Sequence, residues 1–222
     1  MIFKDRTDAG RKLAARLKHY ADREDVLVLA LPRGGVPVAY EVAKELNAPL
    51  DVFLVRKLGV PGHEELAMGA IASGGVRVLN EDIVNYLGIP NEVIDAVAAN
   101  EQRELERRAR AYRGDRPPPD VKDRIVILID DGLATGSTMR AAAESLRLQK
   151  PRRIVVAVPV SSPEVCDEFR SEVDEIVCAI TPEHLQGVGL WYKDFSQVSD
   201  EEVRELLKRA TQEQQRAMSR AL

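Results

Sequence analysis

Two short runs of unbroken apolar residues, Val26–Leu31 and Ile125–Ile129, each end in a polar, glycine-bearing turn that opens into a helical pattern. Runs of this length and composition read as strands buried on both faces, and such strands belong to parallel sheets covered by helices. Ile154–Val160 and Val173–Ile180 read as later strands, and Leu50–Val55 as an earlier one. Helical patterns separate them at Val36–Leu46, from the second turn to about Gln149, and at Pro163–Arg170. The alternation predicts an α/β fold with a mainly parallel sheet flanked by helices. Ligands of such sheets bind beyond the carboxyl ends of the strands, where both polar turns fall.

The rest of the chain fills in around that frame. Thr7 or Asp8 can cap a first helix that places Leu13, Leu17 and Tyr20 on one face and ends near Arg23. After Arg56-Lys57 comes a Gly/Pro-bearing stretch, and Ala67–Ala72 and Val76–Asn80 read as short strands around Ser73-Gly74-Gly75. Glu81 to Tyr112 is helical with a break at Gly88-Ile89-Pro90, and Arg113–Pro119, with its three consecutive prolines, is a connector. Glu101–Arg116 holds six arginines among glutamates, including Glu104/Arg108 and Glu106/Arg110 at i, i+4. Alternating signs favour a solvated helix laced with ion pairs over an RNA-binding face. Glu201–Met218 reads as a terminal amphipathic helix.

Composition narrows the function classes. Of the 222 residues 45% are hydrophobic and 31% charged, which excludes disorder as the main state. The 32 Lys+Arg against 36 Asp+Glu argue against a dedicated nucleic-acid binder. With only Cys166 and Cys178, a disulfide scaffold is excluded, a reducing compartment fits, and both cysteines read as packing residues. No apolar run reaches the ~18–20 residues of a membrane span, and Met1–Arg6 lacks the apolar core of a signal peptide. The expectation is a cytoplasmic protein with no membrane partner.

The turn after Ile129 carries the chemistry. Asp130 and Asp131 at a strand end need partners, since buried charge must be paired or hydrogen-bonded; the vicinal hydroxyls of a ribose, or a hydrated cation, would suit. The following Ala134-Thr135-Gly136-Ser137-Thr138 opens a helix, whose free N–H groups and dipole form an anion site. An acid pair beside a phosphate cradle describes a phosphorylated sugar with free hydroxyls. No Gly-Lys-Ser/Thr occurs, which disfavours an ordinary P-loop.

Val126–Thr138, with its Asp-Asp-Gly-Leu-Ala-Thr-Gly-Ser-Thr core, resembles the phosphoribosyl-pyrophosphate (PRPP) motif of the type I phosphoribosyltransferases. The resemblance implies that Asp130 and Asp131 hold the ribose 2′- and 3′-hydroxyls and that Gly132 and Ala134–Thr138 bind the 5′-phosphate. Arg33-Gly34-Gly35 resembles the family's pyrophosphate loop, and Arg56 and Lys57 are cations suited to the leaving pyrophosphate. Gly59–Gly69, with His63 and Glu64, is similar in position to the loop that closes over PRPP. His63 is either an acid/base group or, the favoured reading, an exposed loop histidine. Val177–Phe195 looks like the hood of purine-type members, with Val177 and Cys178 on the base side. Trp191 either stacks on a base or, as favoured, anchors the hood, and Asp194 is a candidate magnesium ligand. Val158–Pro163 lacks the lysine that purine-salvage members carry there, which argues against a 6-oxopurine acceptor.

The implied organisation is a core over residues 1–175 with a helical insertion at about 81–116, then a hood and terminal helix over 176–222. The implied activity is Mg²⁺-dependent transfer of 5-phosphoribosyl from PRPP to a nitrogenous acceptor, with a homodimer as the candidate assembly. The alternative is a regulatory protein that binds PRPP without catalysis.

Overall fold

The computed structural model describes residues 2–220. In chain order the helices are α1 (Arg6–Arg16), α2 (Gly35–Leu46), α3 (Glu81–Leu87), α4 (Asn91–Arg113), α5 (Ser137–Leu148), α6 (Pro163–Glu172) and α7 (Asp200–Arg220). The strands are β1 (Val26–Ala30), β2 (Leu50–Val52), β3 (Val55–Val60), β4 (His63–Ala72), β5 (Val76–Leu79), β6 (Ile125–Ile129), β7 (Arg153–Val160) and β8 (Glu175–Ile180).

Five strands form the expected parallel sheet, in the order β2-β1-β6-β7-β8. Because side chains alternate across a strand, β1 feeds two cores. Val26, Val28 and Ala30 pack with α1, α2 and α7 residues such as Leu13, Val42 and Val203. Leu27 and Leu29 pack on the other face with Met139 and Leu146 of α5 and Phe169 of α6. The β1/β6 register pairs Ala30 with Ile129, and the Leu31 N–H donates to Ile129 O at 2.8 Å. The two polar turns therefore leave the sheet side by side.

Several local expectations are corrected. Asp5, extended at φ −158°, caps α1 by accepting the Asp8 N–H at 2.7 Å. An N-cap must stand outside the helix it closes, and Thr7 and Asp8 lie within the first turn. α1 stops at Arg16, and a 3-10 turn over Lys18–Tyr20 buries Tyr20. The single strand expected over Leu50–Val55 is two: β2 ends in the parallel sheet, and β3 begins a separate antiparallel sheet, β3-β4-β5. Gly59–Gly69 is thus mostly hairpin, turning at Pro61-Gly62 with Gly62 at φ +80°. Its sequence hides the strand because His63–Leu66 are all exposed, so no inward apolar alternation marks that half of β4. Cys166 and Cys178 are bonded to each other as a disulfide joining α6 to β8. Their 12-residue separation has no recognisable pairing motif, since the strand and helix pairing that brings them together is tertiary.

The helical insertion is anchored by Arg113 at the end of α4. Its side chain, 4% exposed, donates from Nε to Asp51 Oδ1 at 2.7 Å and also bonds the Val52 carbonyl of β2. Removing one partner of a buried pair strands the other charge. Arg113→Leu is therefore expected to destabilise the fold by about 3 kcal/mol or more, read as a fall in the denaturation midpoint at unchanged slope. A loss below about 0.5 kcal/mol would assign the pair no structural weight. Elsewhere α4 is as charged as its sequence suggests, with Glu104 bonded to Arg107 and Arg108 and held down at about 2 by those hydrogen bonds. The sequence boundary at 175/176 falls at the start of β8, which pairs with β7 in the main sheet. No helix among the described residues is long and apolar enough to cross a membrane.

Candidate active site

The acid pair and the Arg33-Gly34-Gly35 turn lie in direct contact. A Cβ on Gly34 would stand 2.0 Å from Asp131 Oδ2, and one on Gly35 would stand 2.7 Å from Ile129 O and 3.0 Å from Asp130 Cα. Gly34 has a helical φ of −59°, so its lack of a side chain is required by space rather than by backbone conformation. The Pro32–Arg33 peptide is cis. Arg33 reaches Asp200 at the start of α7, with Nη1 3.8 Å from Oδ1.

Asp130 accepts the Asp131 N–H at 2.8 Å and enters no ion pair among the described residues. Burial pushes its carboxyl well above the ordinary range, and the neighbouring Asp131 charge adds to the rise. Burial also raises Asp131, opposed by the Arg6 guanidinium, whose Nε lies 2.9 Å from Oδ2. The Tyr192 hydroxyl donates to the Asp131 carbonyl at 2.5 Å, and burial with the nearby acids raises its own pKa. Neither Arg6 nor Tyr192 was singled out as a site residue from sequence. Arg6 lies 125 positions from Asp131, so no local pattern links them.

The turn beyond the acids leads into an uncapped helix start. Gly136 precedes α5 at φ +74°, and no side chain caps the helix, so its first-turn N–H groups face outward unsatisfied by a cap. A Cβ on Gly136 would meet Phe169 Cε2 at 2.6 Å, so helix α6 backs the loop closely. Ala134, Thr135, Ser137 and Thr138 are exposed, and the Thr135 and Ser137 hydroxyls lie 3.3 Å apart. Arg140 ties α5 to α6 through Glu168 and Glu172 and donates to Thr135 O at 3.0 Å. Gly132 lies under the hood, where an added Cβ would meet Val188 Cγ1 at 2.5 Å.

The other sequence candidates divide. Lys57 lines a cavity of 390 Å³ between the antiparallel sheet and α5, together with Ser137 and Thr138. Its Nζ donates to Glu65 O at 3.1 Å. Strand alternation separates Arg56 from it, and Arg56 Nε bonds Glu101 of α4 at 2.6 Å. Val177 and Cys178 are half-buried in β8, and Cys178 is in the disulfide. Trp191 is half-buried against the core, and its backbone carbonyl accepts the Phe3 N–H at 2.8 Å. Asp194 is exposed and accepts the Ser196 N–H at 2.9 Å, while His63 and Glu64 are exposed on the hairpin. Among the described residues no group of three or more His, Cys, Asp or Glu side chains could hold a metal ion.

The family model described as the phosphoribosyl transferase domain matches residues 2–193, a span that takes in both sheets, both polar turns and most of the Val177–Phe195 segment. The chain belongs to the phosphoribosyl transferase domain family. A Mycobacterium tuberculosis relative whose given name proposes a phosphoribosyl transferase is 47% identical over 209 residues, 94% of this chain and 47% of the relative. The chain thus spans about half the length of the curated relatives it matches first. The bifunctional protein PyrR of Chloroflexus aurantiacus is 32% identical over 129 residues, 57% of this chain and 65% of PyrR. Among solved structures, a Thermus thermophilus protein is 43% identical with a TM-score of 0.83, covering 93% of this chain and 98% of that one. The fold is thus shared with a solved structure at 43% identity over nearly the whole chain.

Proposed function

We propose that this phosphoribosyl transferase domain moves the 5-phosphoribosyl group of PRPP to a nitrogenous acceptor, a nucleobase in the simplest case, and releases pyrophosphate. The observation that carries this reading is the contact between the acid pair and the glycine turn, with an uncapped helix start beside them. Two carboxylates accept from vicinal hydroxyls, the α5 N-terminus takes the 5′-phosphate, and the Arg33–Gly35 turn takes the pyrophosphate. As the bond from C1 to the pyrophosphate oxygen breaks, positive charge grows on the ribose ring and the acceptor nitrogen forms the new bond. The electron pair of the broken bond leaves with pyrophosphate, and the acceptor nitrogen's proton passes to that leaving group or to solvent. No protein nucleophile is required, so the residues act by positioning and by stabilising the leaving group.

Magnesium would supply charge neutralisation on the pyrophosphate. It usually binds through substrate phosphates and retained waters rather than a protein cage, so the ion would be carried in by PRPP. Lys57, across the cavity from Ser137 and Thr138, adds a cation on the phosphate side.

The test is pyrophosphate release from PRPP and Mg²⁺ against a panel of purine, pyrimidine and pyridine acceptors. Release that depends on one acceptor and disappears in Asp130→Asn/Asp131→Asn is the expected result. Tight PRPP binding with no release from any acceptor would favour a regulatory binder instead.

A further inference from the structure

The Asp131 carboxylate is held from outside its own turn. Arg6, the first residue of α1, reaches it with Nε 2.9 Å from Oδ2, and the two side chains are 11% and 15% exposed. The guanidinium is fixed on two further sides: Nη1 donates to Ser196 O at 2.7 Å, and Cζ stands 4.0 Å from the centre of the Phe195 ring. A planar cation bonded at one edge and stacked on an aromatic face has little freedom left to reorient.

The hood that provides these contacts is stitched to the chain start. Phe3 N–H donates to Trp191 O at 2.8 Å, Lys193 N–H to Phe3 O at 2.9 Å, and Asp194 N–H to Lys4 O at 3.0 Å. The Tyr192 hydroxyl then bonds the Asp131 carbonyl. Asp131 Oδ2 is thereby enclosed between Arg6 and Gly34, while Oδ1 takes no hydrogen bond from the described residues.

We propose that Arg6 is the positioning residue for the sugar-binding carboxylate, latching Asp131 in one orientation with Oδ1 left to accept a ribose hydroxyl. The proposal rests on the PRPP reading for its ligand but on the ion pair for its geometry. The charged and titratable groups that face Asp131 are Arg6 from α1, Asp130 from its own turn and the Tyr192 hydroxyl from the hood. Arg6 is the cation among them, and it opposes the rise that burial imposes on the carboxyl. It also joins the chain start and the hood to the acid pair, so loosening either end is transmitted to the sugar site.

Two readouts on the full chain decide the matter. The first is the carbon-13 carboxyl titration of Asp131 in ligand-free protein. Arg6→Gln is expected to raise its midpoint by about one unit or more, the effect of losing an adjacent opposite charge, and Arg6→Lys to restore most of it. The second is PRPP affinity by calorimetry, expected to fall about tenfold or more in Arg6→Gln, with partial recovery in Arg6→Lys. Should Arg6→Gln fail to fold, Phe195→Leu removes the stacking face while keeping the charge and is expected to weaken PRPP binding in the same direction. An unchanged Asp131 midpoint, or PRPP bound as tightly or more tightly without Arg6, overturns the latch. Wild-type protein that binds no PRPP would overturn the phosphoribosyl reading instead, and the carboxyl midpoint would still decide the ion pair's role.

Discussion

Asp130→Asn is expected to make the ligand-free protein more stable at neutral pH and to weaken its binding of PRPP. The Asp130 carboxyl is raised by burial and by the Asp131 charge, so the folded state holds that proton more tightly than the unfolded chain does. Between the ordinary carboxylate range and the raised value, the unfolded state binds fewer protons, and stability falls as pH rises. Below the ordinary range both states are protonated and the penalty is absent. Asn stays neutral and can still accept the Asp131 N–H through its side-chain oxygen. The gain should be about 0.5–2 kcal/mol, the usual yield when a strained functional group is relieved, and it should shrink towards acid pH. Binding moves the other way, since a hydrogen bond to a charged acceptor is worth about 1.5–3 kcal/mol. The double variant Asp130→Asn/Asp131→Asn should lose roughly a hundredfold or more in PRPP affinity. Thermal melts across pH, paired with calorimetry, check both halves. A variant less stable at pH 7 with unchanged PRPP affinity would remove Asp130 from the site.

Gly34→Val should be as damaging by a different route. The side chain would enter space held by Asp131 Oδ2, 2.0 Å from the position of its Cβ, and that carboxylate cannot withdraw while Arg6 holds it. Either the carboxylate turns out of its ion pair or the turn moves away from the acid pair. Overpacking of this kind costs about 1–3 kcal/mol, a fall of roughly 2–12 °C in Tm for a chain of this size. PRPP affinity should fall about a hundredfold or more, because the sugar and pyrophosphate contacts are disturbed together. Gly187→Ala is the matched control: φ there is 175°, nothing lies within 4 Å of an added Cβ, and stability should change by less than about 0.5 kcal/mol. If Gly34→Val kept wild-type PRPP affinity, the interlocked acid pair and glycine turn would not be the binding site.

Much of the fold was legible because its signals are local. β1, β6 and β7 stand out as apolar runs that need burial on both faces, and the Gly88-Ile89-Pro90 break between α3 and α4 is written in residues that end helices. The antiparallel sheet was harder. β3 and β4 carry charge on their exposed positions and pair with each other rather than with the main sheet, so their periodicity resembles that of a polar loop.

The candidate site divides in the same way. Asp130 to Thr138 is one continuous stretch whose residue types announce an acid pair and an anion cradle, so the proposed sugar-phosphate reading of that turn starts from the sequence alone. Only the tertiary structure decided which other residues share it. The Ala30–Ile129 register brings Gly34 against Asp131, the joined chain start and hood bring in Arg6 and Tyr192, and strand alternation sends Arg56 to Glu101 while Lys57 faces α5. Local sequence sets the chemistry a segment can perform. The partners that tune its charge and shape come from distant segments, joined only when the buried sheet sets their register.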